Sequence, residues 1–219
     1  MNQTPATTKN KINKRKTKKL TSRRKSKLTK KNKQIIIDDK SARLVSIALL
    51  NTNQIKKLKD IYNQYGSTTN WTEEQIKNFV IDEKMQIKKP DIQRTYYSFC
   101  IFIQDNLVGY IIGKKTSLLQ RPFIGNYKPN KFDLLFAIGL DTNFRGQGIG
   151  TTVINLFIKM YKRKIVSLGN YAKKARLYSD IAPDNTASIK VFEKNHFHYS
   201  HDIRISGKPY RRYSRLVFG

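Results

Sequence analysis

The decisive stretch is Leu140–Thr152, LDTNFRGQGIGTT. On its N-terminal side, Phe132–Leu140 is nearly continuous apolar sequence, as a strand buried on both faces requires. On its C-terminal side, Val153, Phe157 and Met160 recur at helical spacing beside Ile154, Ile158 and Tyr161, which predicts a helix from Gly148 to Lys162. Gly146, Gly148 and Gly150 therefore fall at a strand-to-helix junction. Without side chains there, several backbone N–H groups stand open. The helix start adds the positive end of its dipole, and Arg145 adds a full charge. This combination predicts an anion cradle of phosphate size. Glycines also make ordinary tight turns, but three in five residues beside an arginine exceed what a turn needs.

Spacing excludes two common nucleotide sites. The dinucleotide fingerprint G-x-G-x-x-G requires a glycine three places after Gly148, where Thr151 stands. The P-loop pattern comes nearest at Gly113, but the glycine it needs five places earlier is Val108, and Thr116 falls one place late.

Outward from the loop, the chain alternates strand and helix patterns. Ala42–Leu50 reads as a strand. Asn51 with Gln54 opens a helix whose buried face is Ile55, Leu58, Ile61 and Tyr62. Thr72 with Gln75 has capping-box spacing and opens a second helix, carried by Ile76, Phe79 and Val80. Thr95–Gln104 and Leu107–Thr116 form a hairpin about Asp105–Asn106, and residues 117–131 read as a loop. Arg176–Ile181 is a strand, Asn185–Asn195 a helix, and two short strands flank a turn at Ser206–Pro209. The order is β-α-α-β-β-β-α-β-α-β-β, an α/β domain over residues 39–219 with a mixed, mostly antiparallel sheet flanked by helices.

Three segments in this order carry a family resemblance. Arg145, Gly148 and Gly150 fit R-x-x-G-x-G. APDNTASIKVFEKNHF (Ala182–Phe197) looks like D-N-x-x-A-x-x-L-Y-x-K-x-G-F, and QDNLVGYIIG (Gln104–Gly113) looks like the hairpin preceding the loop. Over roughly residues 41–219 the chain resembles the GNAT superfamily of acetyl-CoA-dependent N-acetyltransferases. The resemblance implies acetyl-CoA as donor and direct transfer to an amine through a ternary complex, with backbone donors facing the developing oxyanion. Gly146, Gln147, Gly148, Ile149, Gly150 and Thr151, with Arg145, would hold the pyrophosphate of CoA. Ile138, Gly139 and Leu140 would meet the pantetheine arm where their strand splays from its neighbour. Asn185 would contact CoA, cap the last helix, or do both.

The sequence also departs from the pattern. The usual tyrosine beside the departing thiolate is Phe192, which cannot donate a proton; Tyr199 and Tyr210 are the alternative candidates. The family's alanine is Ser188, and its late glycine is His196. A carboxylate base on the central strand would fall nearest Leu134, so the adjacent Asp133 is the candidate base, against a strand-end charge or salt bridge. Glu73 and Glu74 lie near the first helix-helix loop, where a helix start alone accounts for acids. Trp71 either shapes the acceptor pocket, as Tyr210 would near the last turn, or staples the second helix. His196, His198 and His201 have no cysteine close by to complete a metal set, so no metal is expected. Cys100 alternates with Phe99 and Ile101 as core packing.

Composition frames the rest. The 219 residues carry 44 Lys and Arg against 15 Asp and Glu, a formal net charge of +29, which favours polyanionic partners. Fourteen of the basic residues and no acid lie in residues 1–33, leaving +15 on the remainder. Residues 1–38 read as a disordered Lys/Arg-rich tail: a solubilising segment, or an arm for nucleic acid or the ribosome through residues 1–33, with a nuclear-localisation pattern in residues 14–27. Lacking aromatics, that arm would bind through phosphates and be salt-sensitive. No run approaches the ~20 apolar residues of a membrane span, so no membrane partner is expected. The single cysteine excludes a disulfide framework within the chain and fits an intracellular setting, cytoplasmic or nuclear. Abundant Lys, Asn and Ile fit an AT-rich genome such as that of a large DNA virus. The expectation is an N-acetyltransferase acting on a protein N-terminus, a lysine or a small amine. The alternative is a nucleic-acid- or ribosome-associated protein using a catalytically impaired scaffold of the same fold.

Overall fold

The computed structural model describes residues 37–39, 42–64, 71–90, 93–116 and 130–219, with 37–39 and 171 by backbone alone. The basic clusters of residues 14–27, the rest of the expected tail up to residue 36 and most of the 117–131 loop lie outside the described residues. Every described residue belongs to the unit Gln34–Gly219.

β1 (Ile37–Asp39) and β2 (Ala42–Ser46) open the unit, so regular structure begins inside the segment expected to be tail. β2 ends four residues before its expected limit, because the Ser46 side chain caps a 3-10 turn over Ile47–Leu49. α1 (Thr52–Asn63) and α2 (Glu73–Gln86) begin at the expected helix start and the expected capping box, and both starts are capping boxes. Asn51 Oδ1 accepts from the Gln54 N–H at 2.9 Å, and Thr72 Oγ1 from that of Gln75 at 3.2 Å. Each satisfies an amide the first helical turn leaves without a partner. β3 (Tyr96–Ile103) and β4 (Asn106–Lys115) form the expected hairpin. β5 (Leu134–Leu140) leads through the glycine loop into α3 (Ile149–Ile165). A one-turn α4 (Asn170–Lys173) precedes β6 (Arg176–Ile181), followed by α5 (Thr186–Lys194), β7 (His198–Ile205) and β8 (Lys208–Leu216). The last two strands are longer than expected. Ser206 and Gly207, at φ 50° and 78°, make the two-residue turn whose twist matches a hairpin.

The strands form one sheet in the order β1-β2-β3-β4-β5-β6-β8-β7. Every neighbouring pair is antiparallel except β5 and β6. Side chains alternate between two cores, as the pleat requires. Leu44, Phe99, Ile101, Ile111 and Phe136 face α3 and α5, whereas Val45, Cys100, Phe102 and Tyr110 face α1 and α2. Phe157 of α3 is fully buried between Phe99, Phe136 and Tyr161, and truncating such a ring costs about 3–5 kcal/mol. Cys100 is buried in the second core, and burial pushes its thiol pKa up, so it packs as an inert small hydrophobe. Among the described residues no helix is long and apolar enough to cross a membrane.

Candidate active site

β5 and β6 pair only at Leu134 with Leu177 and Leu135 with Tyr178. Beyond these two pairs the parallel strands part, and the sheet opens toward their C-terminal ends. β5 keeps its full ladder to β4 up to Leu140, so the departure occurs on the β6 side. The glycine loop lies at the mouth of this opening.

Gly148 is the N-cap of α3 at φ 79°, and no side chain caps the helix. The first amides of such a helix point outward without intrahelical partners. Gly146 stands at φ 76°. A Cβ on either glycine would meet nothing within 4 Å, so their requirement is the left-handed backbone and the empty space above it. Gly150 differs: a Cβ there would touch Val191 and Leu140 at ordinary distances, 3.5 and 3.6 Å, and would take up cleft volume. Arg145 is anchored by its Nε donating to the Leu140 carbonyl at 3.0 Å, which keeps its charge beside the cradle.

α1 holds the loop from the other face of the sheet. Lys57 Nζ meets Asp141 Oδ2 at 2.8 Å, and Gln64 Oε1 accepts from the Thr142 N–H at 3.1 Å. Asp141 Oδ1 accepts from the Asn143 N–H and caps the short turn Thr142–Phe144. The Lys57 hydrogen bond and the Asn143 amide hold the Asp141 carboxyl below the usual carboxylate range.

The loop, the end of β5 and the start of α5 enclose a cleft of about 340 Å³. Of the expected cofactor residues, Ile138, Leu140, Arg145, Gly146 and Gly148 line it, as do Gly150, Thr151, Asn185 and Phe192. Three do not. Gly139 faces the opposite side of the sheet, the Gln147 amide turns back to the Asn143 carbonyl at 3.0 Å, and Ile149 packs into the core. The capping role of Asn185 is observed: its Oδ1 accepts from the Ser188 N–H at 3.1 Å at the start of α5, and the residue also lines the cleft. Phe192 joins Phe136 and Phe197 in a ring cluster, so that wall of the cleft offers no proton. The sequence reading did not assign Phe144, Ala187, Ser188, Val191 and Lys194 to the site, and they also line the cleft. Their positions follow from how α5 docks, and no local pattern marks them.

Asp133 requires a correction. It is neither at the cleft nor an exposed strand-end charge. It is fully buried at the start of β5, roughly 20 Å along the strand from Leu140. Its Oδ1 accepts from the Arg176 N–H at 2.7 Å and its Oδ2 from the Asn130 N–H at 2.9 Å. The carboxylate ties the beginnings of β5 and β6 together where they still pair. Tyr199 sits on edge strand β7, 54 % exposed, with its ring against Tyr213 and away from the cleft lining. Tyr210 lies on β8 opposite Ile203, just past the end of β6, and does not line the cleft either.

On the α1 and α2 face the opening exposes Ala137, although β5 is a central strand. The Tyr110 ring covers Gly139; Tyr62 stacks on Tyr110 at 5.1 Å, and Trp71 lies on Tyr62 at 4.6 Å. Burial raises the Tyr62 hydroxyl pKa. Trp71 also exchanges two hydrogen bonds between its backbone and the Asn63 side chain, at 2.9 and 3.1 Å. It therefore staples the two helix ends and forms the outer plate of an aromatic wall that reaches β5. Across the opening, Arg212 grips the Asp180 carboxylate of β6 at 2.7 and 3.0 Å, both side chains being buried. Desolvation, then the Arg212 charge, lowers the pKa of neighbouring His201. Among the described residues no group of three or more His, Cys, Asp or Glu side chains could hold a metal.

Residues 43–198 match the family profile described as "Acetyltransferase (GNAT) domain", and the chain belongs to that family. No curated protein matches the sequence. Several solved structures share the fold. An N-acetyltransferase from Staphylococcus aureus Mu50 superposes with a TM-score of 0.59 at 16 % identity, over 80 % of this chain and 98 % of its own. The ribosomal L7/L12 alpha-N-protein acetyltransferase RimL, in complex with coenzyme A, gives 0.58 at 16 % identity, over 84 % and 98 %. The aminoglycoside acetyltransferase AAC(6')-Ib, also in complex with coenzyme A, gives 0.57 at 11 % identity, over 80 % and 94 %.

Proposed function

We propose that this chain is an acetyl-CoA-dependent N-acetyltransferase whose acceptor is the terminal amine of a peptide. The observation that carries the reading is the parting of β5 from β6 beside an uncapped helix start with two left-handed glycines. The cradle fits a phosphate-bearing donor: each glycine leaves open the space a Cβ would fill, and Arg145 supplies charge. When bound, acetyl-CoA supplies the activated acetyl group. The amides of Gly148, Ile149, Gly150 and Thr151 would bind its pyrophosphate, while Ile138 and Leu140 line the path into the sheet. The acceptor amine would enter from the α1 and α2 face over Ala137, between the Tyr110–Tyr62–Trp71 wall and Asp180. An entrance walled by rings beside the exposed Ala137 suits an extended chain end. The fold likeness to RimL, which acts on a ribosomal protein's α-amine, supports the same class.

A second reading keeps the cleft for binding alone, favoured by Phe192 standing where a proton donor is usual. In either case the basic residues 1–33 would tether the protein to nucleic acid or the ribosome. The test is thiol release from acetyl-CoA by the full chain with a panel of N-terminally free peptides, the same peptides blocked, and aminoglycosides. Release with free peptides only is expected. Release with aminoglycosides alone overturns the acceptor, and binding without release selects the second reading.

A further inference from the structure

A strongly basic surface lies at the end of the sheet opposite the cleft. From Thr142 to Ser179 the chain contains no Asp or Glu and eight Lys or Arg. Seven of these, from Lys159 to Arg176, fall at one place, because α3 runs back from the glycine loop and delivers its C-terminal turn to the start of β6. Lys159, Lys162, Arg163, Lys173 and Lys174 are all exposed. Three acids lie on adjoining elements: Asp133 is buried with both oxygens on backbone amides, Glu193 is exposed, and Asp202 of β7 is exposed with its carboxylate taking the Tyr199 hydroxyl, so the cations outnumber the exposed acids.

Beside these cations is a notch of about 420 Å³ that includes Arg176, His196, His198, Tyr199, Ser214 and Arg215. Lys162 places its Nζ 5.0 Å from the Phe218 ring centroid, and the next residue, Gly219, lines the notch. The end of α3 and the notch are therefore contiguous. The notch presents rings and hydroxyls as well as charge: Tyr199 is 54 % exposed, and both histidines are on the surface.

We infer that this end of the domain docks single-stranded RNA, with phosphates on the Lys159–Arg176 cations and an unpaired base against Tyr199 in the notch. Clustered cations bind phosphate without reading sequence, and exposed rings stack on bases only where the bases are unpaired. Duplex DNA is disfavoured because α3, which carries several of these cations, is packed on the sheet with ten of its residues buried and does not project as a groove-reading helix would. The Ser214 hydroxyl in the notch can meet a ribose 2′-OH, which DNA lacks, while that of Ser200 is engaged with His201 Nδ1 at 2.9 Å. The site is separate from the acetyl-transfer cleft and does not depend on turnover there.

The experiment uses the full chain, so residues 1–33 contribute the same background throughout. Fluorescence anisotropy with a labelled unstructured RNA is measured against salt for the wild type, for the fourfold variant Lys162→Gln, Arg163→Gln, Lys173→Gln, Lys174→Gln, and for Tyr199→Ala. The fourfold variant is expected to reduce the slope of log affinity against log salt by about 3 and to weaken binding at least roughly tenfold. Tyr199→Ala is expected to weaken binding by roughly tenfold with the slope unchanged. Acetyl-CoA binding, measured in parallel, should stay at the wild-type level in both variants. Unchanged RNA affinity and slope in the fourfold variant would overturn the inference. So would equal or tighter binding of single-stranded DNA or duplex DNA, or binding of phosphatidylserine vesicles that depends on these side chains while RNA binding does not.

Discussion

The Tyr110 ring of β4 lies directly over Gly139 of β5: a Cβ on Gly139 would sit 2.5 Å from two of its ring carbons. This contact lets the aromatic wall of α1 and α2 close onto the strand beside the opening. Gly139→Ala must shift the ring or the strand, and should cost roughly 1–3 kcal/mol of stability. The pair Gly139→Ala/Tyr110→Ala should cost less than the sum of the single changes, because removing the ring removes the clash. Urea denaturation of the three variants measures both.

Asp133 ties β5 to β6 and is remote from the cleft. Asp133→Asn replaces an acceptor of two backbone amides with a group that also carries a donor. It should destabilise the fold by about 1–3 kcal/mol, with turnover per folded molecule unchanged. A catalytic base lost at this position would instead lower turnover by roughly 10²- to 10⁴-fold. Chemical denaturation and single-turnover rates at saturating donor separate the outcomes.

The Lys57–Asp141 pair, at 2.8 Å, fastens α1 to the glycine loop. The Asp141 pKa is lowered in the fold, so its contribution is present above the unfolded carboxylate pKa and is lost as pH falls through the folded one. Lys57→Met removes the leading cause of that shift. The acid limb of the stability curve should move to higher pH, with a loss near neutrality of about 1 kcal/mol or less, since Lys57 is half exposed. Thermal melts from pH 3 to 7 read the limb directly.

His196 closes the turn after α5 at φ 61°, where the family pattern has glycine. A non-glycine residue is strained there, and His196→Gly should raise stability by about 0.5–1 kcal/mol. The midpoint of denaturation checks it.

These cases also show what the sequence can carry. The glycine loop, both capping boxes and the β3–β4 hairpin depend on neighbours in the chain, and the sequence displays them at their observed positions. Gly146 and Gly148 were legible because a left-handed backbone restricts the residue type. Asp133 was misread because a strand pattern does not say which end of the strand faces a cleft, nor that backbone amides of Asn130 and Arg176 would take its oxygens. The Asp180–Arg212 pair and the Tyr110–Tyr62–Trp71 wall join residues far apart in sequence, and only the sheet register brings them together.

The cleft at the start of α3 is proposed to take acetyl-CoA. Isothermal titration of acetyl-CoA into the full chain, beside Arg145→Glu and Gly148→Val, tests it most directly. One site per chain is expected in the wild type. Arg145→Glu should lose most of the affinity to charge reversal, and Gly148→Val should lose it by filling the cradle and opposing φ 79°. No heat of binding at high micromolar donor, or equal binding by all three proteins, would contradict it.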